Sequence, residues 1–470
     1  MTKILKQRNY LINVLKLMRV LQATILEALI YNKGLLMLKN IIIISFLITV
    51  TFAETLRESL KEVLQTNPLI QERLKNYQAT KQDIISAESG YYPKLDLKLG
   101  VGQEKIERVL RNTDYSVYKT SLNYTHNIFN GFGTTSLVQG QEYRTVAAAY
   151  SYVEKVNATS MDLVNTYLEL IKNQELLGTA KENVQIDQEI FSNVKKIYNS
   201  GLTTLSEVKK IESSLALAKS NLVVQENNLL NASYNLQKVL GHELKSDALH
   251  KPSLDATLLP ATQKNALAFA LKHNPSLLAN EYNIKVAKAT NKEKKANYYP
   301  KIDLQLSQAY NNNISQIKGK DDEFRAMAYL SYNLFNGFND KAAVEKSYTQ
   351  VAQQFENKRN TKREIIQSLN LSWSAQKKLR EQLVHLKEYK KFSNKTLVLY
   401  SKEYDLGRRS LLDLLSAQND FIRSKSQIIT TEYSILYAQY KILNAMGALV
   451  TTIMHNDKIV YSSVNLTGKE

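Results

Sequence analysis

Few side chains in this sequence have the type and the spacing that chemistry requires. The chain contains no cysteine, and its six histidines are scattered without the spacing of metal ligands. It has no HExxH, GxSxG or P-loop sequence, and Gly131-Phe132-Gly133 lacks the third glycine of a dinucleotide-binding loop. We therefore expect no enzyme, no bound metal and no cofactor. Any energy source must then belong to a partner protein.

Two acidic residues are distinguished by position rather than by motif. Glu207 and Asp413 each follow a Tyr-x-x-Gly sequence by several residues. An acid near the start of a helix is explained by its favourable interaction with the helix dipole alone. Tyr404 can equally be a tyrosine packed at a turn, and Arg409 can be, with the preceding Arg408, one of two solvated surface charges. A functional role for these side chains therefore depends on the elements that position them.

The chain contains the same pattern twice. Asn-Pro and Tyr-Tyr-Pro-Lys sequences recur 207 residues apart, and Phe-Asn-Gly-Phe and Tyr-x-x-Gly sequences recur 206 apart. A repeat of this length and order indicates a tandem duplication with one net deletion. The predicted segments are an upstream extension or misassigned start (1–36), a signal peptide (37–53), repeat 1 (54–241), an equatorial linker (242–265), repeat 2 (266–447) and an equatorial C-terminal segment (448–470).

The segment from Met37 to Ala53 has the pattern of a signal peptide. A basic start precedes a short apolar run, and the small residues Thr51 and Ala53 would precede a cut before Glu54. An N-terminal membrane anchor over residues 10–31 is the alternative. Export and the lack of cysteine fit a bacterial periplasm or outer membrane. We interpret the net charge of +18 as solvated helix surface and lipid contact, because no basic stripe with interleaved aromatic residues indicates nucleic-acid binding.

Each repeat shows the same order of predicted elements. An amphipathic helix, about 56–89 and 266–297, ends just before a proline. The apolar period then changes from 3.6 to 2, which predicts β-hairpins at about 94–129 and 301–335 with strands of roughly ten residues, enough for a tilted membrane strand. A proline-free helix of about 66 residues follows. It leads to a glycine turn and a second helix, and an apolar stripe at steps of three and four predicts that these two helices form an antiparallel coiled coil.

The predicted strands have one apolar and one polar face, and aromatic residues stand where they begin. The tyrosines at these starts would form an interfacial aromatic girdle: Tyr91, Tyr92, Tyr298 and Tyr299. A soluble sheet that packs its apolar face on a core is the alternative. In lipid, four strands cannot close a barrel and open edges are not viable, so copies of the chain must supply the closure. Two chains would give eight strands, and three would give twelve strands with a lumen.

On these repeated motifs the chain resembles the TolC family of outer membrane factors from about Leu56 to Leu449. The resemblance implies a mainly α fold with a small β part, in which a trimeric twelve-strand outer membrane barrel is continued by a periplasmic α-helical barrel. It also implies the partners: two further copies of the chain, outer membrane lipid, a periplasmic adaptor protein, and an inner membrane pump or ABC transporter. The implied function is a passive conduit for small-molecule efflux or type I protein secretion.

The resemblance also assigns roles to the helical tips. Tyr404 and Arg409 would donate the hydrogen bonds that close the periplasmic entrance, with Ser206 and Glu207 as acceptors. Asp413 would form an acidic ring at the constriction. The family pattern has a second aspartate one turn later, where this chain has Ser416, so we expect a single acidic ring rather than a doubled one. The turns would contact the adaptor through Gly201, Leu202, Gly407 and Arg408.

Two other functions compete with the conduit. An adhesive or structural trimeric coiled coil would lack hairpins of alternating strands. A periplasmic adaptor protein would carry one helical hairpin flanked by Gly- and Pro-rich β domains, whereas this chain has two hairpins and only six prolines. The export conduit is therefore the leading interpretation.

Overall fold

The computed structural model describes residues 55–108, 111–244, 249–254, 258–314, 318–454, 461 and 463–466. The predicted signal peptide and upstream segment lie outside these residues. The described elements are helices α1 (Leu56–Thr66) and α2 (Pro68–Glu88), strands β1 (Lys94–Arg108) and β2 (Arg111–Asn130), helices α3 (Gly133–Asn199), α4 (Leu205–Leu240), α5 (Gln263–His273) and α6 (Pro275–Lys295), strands β3 (Lys301–Asn312) and β4 (Lys320–Ser331), and helices α7 (Asn339–Asp405), α8 (Leu411–Met446) and α9 (Leu449–Met454). Within the described residues, no helix combines the length and the apolar character needed to cross a bilayer.

The duplication is visible in the lengths and pairings of the elements. Helices α3 and α7 each have 67 residues, and α4 and α8 each have 36. In the two hairpins Lys94 pairs with Thr125 and Lys301 pairs with Ser331. The first members of these pairs are 207 residues apart and the second members 206. The net deletion therefore lies in the distal part of the hairpin, beyond the last pair, Asn312 with Lys320.

The first helix of each repeat is broken, whereas the sequence predicted one continuous helix. Asn67 ends α1 and caps α2: its side chain accepts from the backbone N–H of Leu69 at 3.0 Å and donates to the carbonyl of Val239 at 2.9 Å. Asn274 does the same between α5 and α6 and donates to the carbonyl of Ala445 at 2.9 Å. Because the residue before proline leaves the helical conformation, the Asn-Pro pair bends the helix and ties the bend to the end of α4 or α8.

The four strands form one antiparallel sheet in the order β1-β2-β3-β4, so that β1 and β4 are its edges. The strands have 15, 20, 12 and 12 residues. They are longer than the roughly ten residues predicted. The polar segments at about 103–114 and 308–323, which the sequence predicts as connecting loops, largely continue the ladders. One β-bulge interrupts the pairing of β2 with β3, between Asn127 and Phe129.

The register places most apolar residues of the four strands on one face. Leu97 lies opposite Leu122, Tyr124 opposite Leu306, and Leu306 opposite Ala326. Directly opposite residues share a face of a sheet, so the apolar alternation of each strand joins into a single surface. The leucines and valine of β1 on this surface are 63–77% exposed: Leu95, Leu97, Leu99 and Val101. The soluble alternative required this face to lie on a core, which the described chain does not provide.

The hydrophobic core of the described chain is formed mainly by helices. The largest cluster joins α1, α3 and α9 with the C-terminal halves of α4 and α8, and residues of segments 249–254 and 461–466 pack on it. A second cluster lies at the opposite end of the long hairpins, where Ile190, Val208, Tyr404 and Leu414 meet. These residues come from α3, α4, α7 and α8. The tips of the two helical hairpins therefore share one apolar core.

Candidate functional site

The two helical hairpins turn through the same backbone motif. At the end of α3 the N–H of Gly201 donates to the carbonyl of Tyr198 at 2.9 Å, and that of Leu202 to Ile197 at 3.1 Å. At the end of α7 the N–H of Gly407 donates to Tyr404 at 2.9 Å, and that of Arg408 to Glu403 at 2.8 Å. This pair of bonds is the Schellman motif, which requires a left-handed residue. The glycines have φ +73° and +70°, so glycine ends each helix here.

A hydrogen bond connects the two helical hairpins within a few residues of these turns. The hydroxyl of Tyr404 on α7 donates to Oε2 of Glu207 on α4 at 3.1 Å. The same oxygen accepts from the hydroxyl of Thr203 at 2.6 Å. The ring of Tyr404 is only 8% exposed, and burial, followed by the negative charge of Glu207, raises the pKa of its hydroxyl. Tyr404 therefore remains a neutral donor to the carboxylate at physiological pH.

Arg409 lies in the same turn but does not reach α4 within the chain. Its Nε and Nη2 donate to Oε2 of Glu403 at 2.9 and 2.8 Å. Its guanidinium also lies 4.2 Å from the ring centre of Tyr400. The hydroxyl of Ser206, a predicted acceptor, shares a 2.7 Å hydrogen bond with Thr204. Contact of Arg409 with Ser206 or Glu207 is therefore not made inside one chain, and a contact between chains stays a prediction.

Asp413 occupies the first turn of α8. The hydroxyl of Ser410 donates to its Oδ2 at 2.8 Å, and the backbone N–H of Asp413 donates back to that hydroxyl at 3.2 Å. This reciprocal cap explains an acid at this position without any further role. The side chain of Asp413 is partly exposed and that of Ser416 is exposed. The cap therefore leaves part of the carboxylate accessible.

Three polar contacts that the sequence did not predict join α8 to α3. Gln418 donates from Nε2 to the carboxylate of Asp187 at 2.7 Å, Lys425 pairs with Glu182, and Tyr433 donates to Glu175 at 2.7 Å. With Tyr404 and Glu207 they form a line of polar contacts between the hairpins. Each partner is a polar residue within an amphipathic helix, and such residues are normally assigned to solvent.

Asp187 is the most deeply buried acid of this line. It is 1% exposed and also accepts from the hydroxyl of Ser214 on α4 at 3.3 Å. Burial raises the pKa of its carboxyl, while the bonds from Gln418 and Ser214 lower it. Its sequence signal is its spacing: it precedes the buried Ile190 and Val194 by three and seven residues, so it lies on the apolar stripe of α3.

The remaining predicted residues are at the surface. At the tips, Gly201, Leu202, Gly407 and Arg408 are exposed. Before the strands, all four predicted girdle tyrosines are 46–69% exposed, and they are Tyr91, Tyr92, Tyr298 and Tyr299. Across the described residues, no group of three or more acidic, histidine or cysteine side chains could hold a metal ion.

Comparisons with known proteins agree on one family. The family model described as outer membrane efflux protein matches residues 59–242 and 267–448. The chain is 22% identical over 399 residues to outer membrane efflux protein BepC of Brucella suis, covering 84% of this chain and 86% of that protein. It is 20% identical over 416 residues to outer membrane protein TolC of Escherichia coli, covering 84% and 83%. The crystal structure of the Campylobacter jejuni CmeC outer membrane channel superposes with a TM-score of 0.77 at 15% identity, covering 88% of this chain and 90% of that one.

Proposed function

The chain belongs to the outer membrane efflux protein family, and we propose on this premise that three copies form a gated conduit from the periplasm to the exterior. It is an export channel protein of the outer membrane that extends into the periplasm. We further propose the number of copies, the residues of the gate, the contacts with partner proteins and the class of cargo.

One observation carries the proposal. The four-stranded sheet exposes a continuous apolar face and ends in two edge strands, while long helical hairpins lead away from it. Such a sheet is viable in lipid only when further strands complete it. Twelve strands from three chains would enclose a lumen, whereas eight strands would be filled by their own side chains.

We assign the gate to the helical tips. The Tyr404–Glu207 bond and the shared apolar core hold the α7–α8 hairpin against α3 and α4. Opening a passage at this end requires the hairpins to separate, so this bond must break. Around a threefold axis, three copies of Asp413 would form a ring that favours cations.

We assign the adaptor contact to the exposed turns, through Gly201, Leu202, Gly407 and Arg408. Leu202 is 81% exposed, and an apolar side chain at the end of a hairpin fits a partner that also presents helical hairpins. The replacement Leu202→Asp should abolish export in cells and leave trimer assembly unchanged. Leu217→Asp, which changes an exposed leucine of α4 outside the turn, is the matched control.

Conductance of the purified protein in a planar bilayer tests the channel proposal. We expect discrete, weakly conducting steps, because the tips are held together. An adhesive or structural coiled coil would give no conductance. For the cargo, a deletion strain separates the classes: accumulation of small toxic compounds indicates efflux with an inner membrane pump, and loss of a secreted protein indicates type I secretion with an ABC transporter.

A further inference from the structure

A buried carboxyl group joins three helices beside the tips. Asp187 of α3 is 1% exposed, and Gln418 of α8 is 2% exposed. Nε2 of Gln418 donates to Oδ1 of Asp187 at 2.7 Å, and the hydroxyl of Ser214 on α4 donates to its Oδ2 at 3.3 Å. Helix α8 belongs to one hairpin, and α3 and α4 belong to the other. This carboxyl group therefore lies in the interface that must separate when the entrance opens.

The site has more acceptors than donors while Asp187 is ionised. The amide of Gln418 also donates to Oδ1 of Asn183 at 3.1 Å, so both of its N–H groups are used. The oxygen of the same amide, Oε1, is buried and has no hydrogen-bond partner among the described residues. Three donor hydrogens therefore face four acceptor oxygens, and a carboxylate adds no donor.

The nearby charged side chains leave the charge of Asp187 uncompensated. On α3 and the helices packed against it, several of them have partners of their own: Glu182 with Lys425, Glu189 with Gln185, Glu212 with Lys209, and Asp420 with Tyr389. The others are exposed: Lys181, Lys210, Lys219 and Arg423. Burial therefore raises the pKa of Asp187, and the hydrogen bonds from Gln418 and Ser214 offset only part of this effect.

The protonated carboxyl group fits the same contacts without any movement of the helices. Its Oδ1 can still accept from Gln418. A proton on Oδ2 can be donated to the hydroxyl oxygen of Ser214, because a hydroxyl group accepts as well as donates. Burial of a neutral carboxyl group also costs much less free energy than burial of a carboxylate. The packed hairpins therefore favour the neutral form of Asp187.

Separation of the hairpins changes the surroundings of this carboxyl group. When α8 moves away, Asp187 loses the bond from Gln418 and becomes hydrated, so its pKa returns towards the ordinary value. The state that binds a proton more tightly is favoured as pH falls. Acid therefore stabilises the closed entrance, and this stabilisation is lost as pH rises through the raised pKa of the closed state.

We propose that Asp187 makes the closed entrance sensitive to pH: its protonated carboxyl group holds the α7–α8 hairpin against α3 and α4, and its ionisation favours opening. This deepens the proposed function and rests on it. Two other acids at the tips also respond to acid. Protonation of Glu207 removes the charge to which Tyr404 donates, so it weakens closure. Protonation of Asp413 relieves repulsion within the proposed ring, so it favours closure and requires a control.

Single-channel recording in planar bilayers at pH 5 and pH 8 tests the proposal. Each unit of difference between the pKa values of the closed and open states changes the closed-to-open ratio by up to about tenfold per tip. The open probability of the parent should therefore be lower at pH 5 than at pH 8 by about tenfold or more. Asp187→Asn should be as closed at pH 8 as at pH 5, because its amide donates to Ser214 as the protonated carboxyl group does. Equal pH responses of parent and variant would overturn the proposal.

Gln418→Glu tests whether the pH midpoint depends on the pair. This replacement places a second carboxyl group beside Asp187, and two adjacent carboxyl groups do not readily ionise together. The midpoint of the response should therefore rise by about one pH unit or more. A role limited to packing would change the open probability at every pH and leave the midpoint where it is in the parent, and that result would contradict the proposal.

Two further replacements identify the acid that is responsible. Asp413→Ala should retain the acid response of the open probability, whereas loss of the response in this variant would assign it to the ring and refute the role of Asp187. Asp162→Asn removes an exposed acid of the same helix and should respond to pH as the parent does. A response reduced as much by Asp162→Asn as by Asp187→Asn would mean that net charge, not the buried carboxyl group, is sensed.

Thermal unfolding separates this proposal from the channel itself. Absence of conductance at both pH values would refute the conduit. The buried carboxyl group is tested without conduction by the melting temperature of the parent relative to Asp187→Asn, which should fall between pH 5 and pH 8. If that difference does not change with pH, the proposed role of Asp187 is wrong whether or not the protein conducts.

Discussion

Removal of the Tyr404 hydroxyl should open the channel. Tyr404→Phe keeps the buried ring and deletes only the bond to Glu207. A hydrogen bond to a charged group contributes about 1.5–3 kcal/mol net. If three tips separate together, the closed state loses about 4.5–9 kcal/mol, which corresponds to roughly 10³ to 10⁶ in the ratio of closed to open channels. The substitution leaves the apolar core shared by the tips in place, so we expect the ratio of closed to open channels to fall by roughly 10³, the lower end of this range.

The effect of Arg409→Ser can be compared with that of Tyr404→Phe. Among the residues that the structure describes, Arg409 forms an ion pair only with Glu403 of its own turn, and both side chains are at least a third exposed. Exposed ion pairs contribute about 0–1 kcal/mol. Arg409→Ser alone should therefore raise conductance less than Tyr404→Phe. A larger effect of Arg409→Ser would show that its predicted contact with Ser206 or Glu207 of a neighbouring chain closes the gate instead.

Single-channel recording in planar bilayers is the assay, with conductance and open probability as the measured quantities. Tyr198→Phe is the matched control. Tyr198 occupies the position of Tyr404 in the first repeat and is 38% exposed, so its replacement should leave both quantities at the parent values. If Tyr404→Phe also conducts like the parent, the bond to Glu207 does not hold the entrance and the reasoning fails.

Three further predictions follow from the described contacts. Asp413→Ala should remove most of the block by trivalent cations applied from the periplasmic side and lower cation preference; block equal to the parent's would leave Asp413 as a helix cap only. Burial raises the pKa of Asp187, so its stabilising effect is greatest at low pH and is lost as pH rises through that pKa. The melting temperature of Asp187→Asn relative to the parent should therefore increase between pH 4 and 8, whereas Asp162→Asn, an exposed acid of the same helix, should show no such trend. Asn274→Ala removes a cap and a buried bond to Ala445 and should cost about 1–3 kcal/mol, measured as a lower melting temperature.

The sequence determined the repeated architecture of the chain. The spacing of apolar residues, every 3.6 residues in a helix and every 2 in a strand, indicates which side chains face apolar surroundings. This pattern can be recognised within a short stretch of sequence. The glycine turns at 201 and 407, the long helices, and the apolar face of the strands were therefore predictable. The ends of the elements were not. The polar residues assigned to hairpin loops continue the strands, and the Asn-Pro pairs break the first helix of each repeat.

The pairing of side chains from distant segments depended on the tertiary structure. The family resemblance named Tyr404 and Glu207, but only the packing of the two hairpins, through α8 against α3 and the shared core at the tips, places the hydroxyl 3.1 Å from the carboxylate. Arg409 instead pairs with Glu403 of its own turn, whereas the packing of the hairpins brings Asp187 to Gln418 on another hairpin. A polar residue in an amphipathic helix has the same local pattern whether it faces water or a buried partner. Whether such a residue is solvated or buried depends on the neighbouring helix. Burial of a polar group without a hydrogen-bond partner costs free energy, and only the assembled core provides that partner.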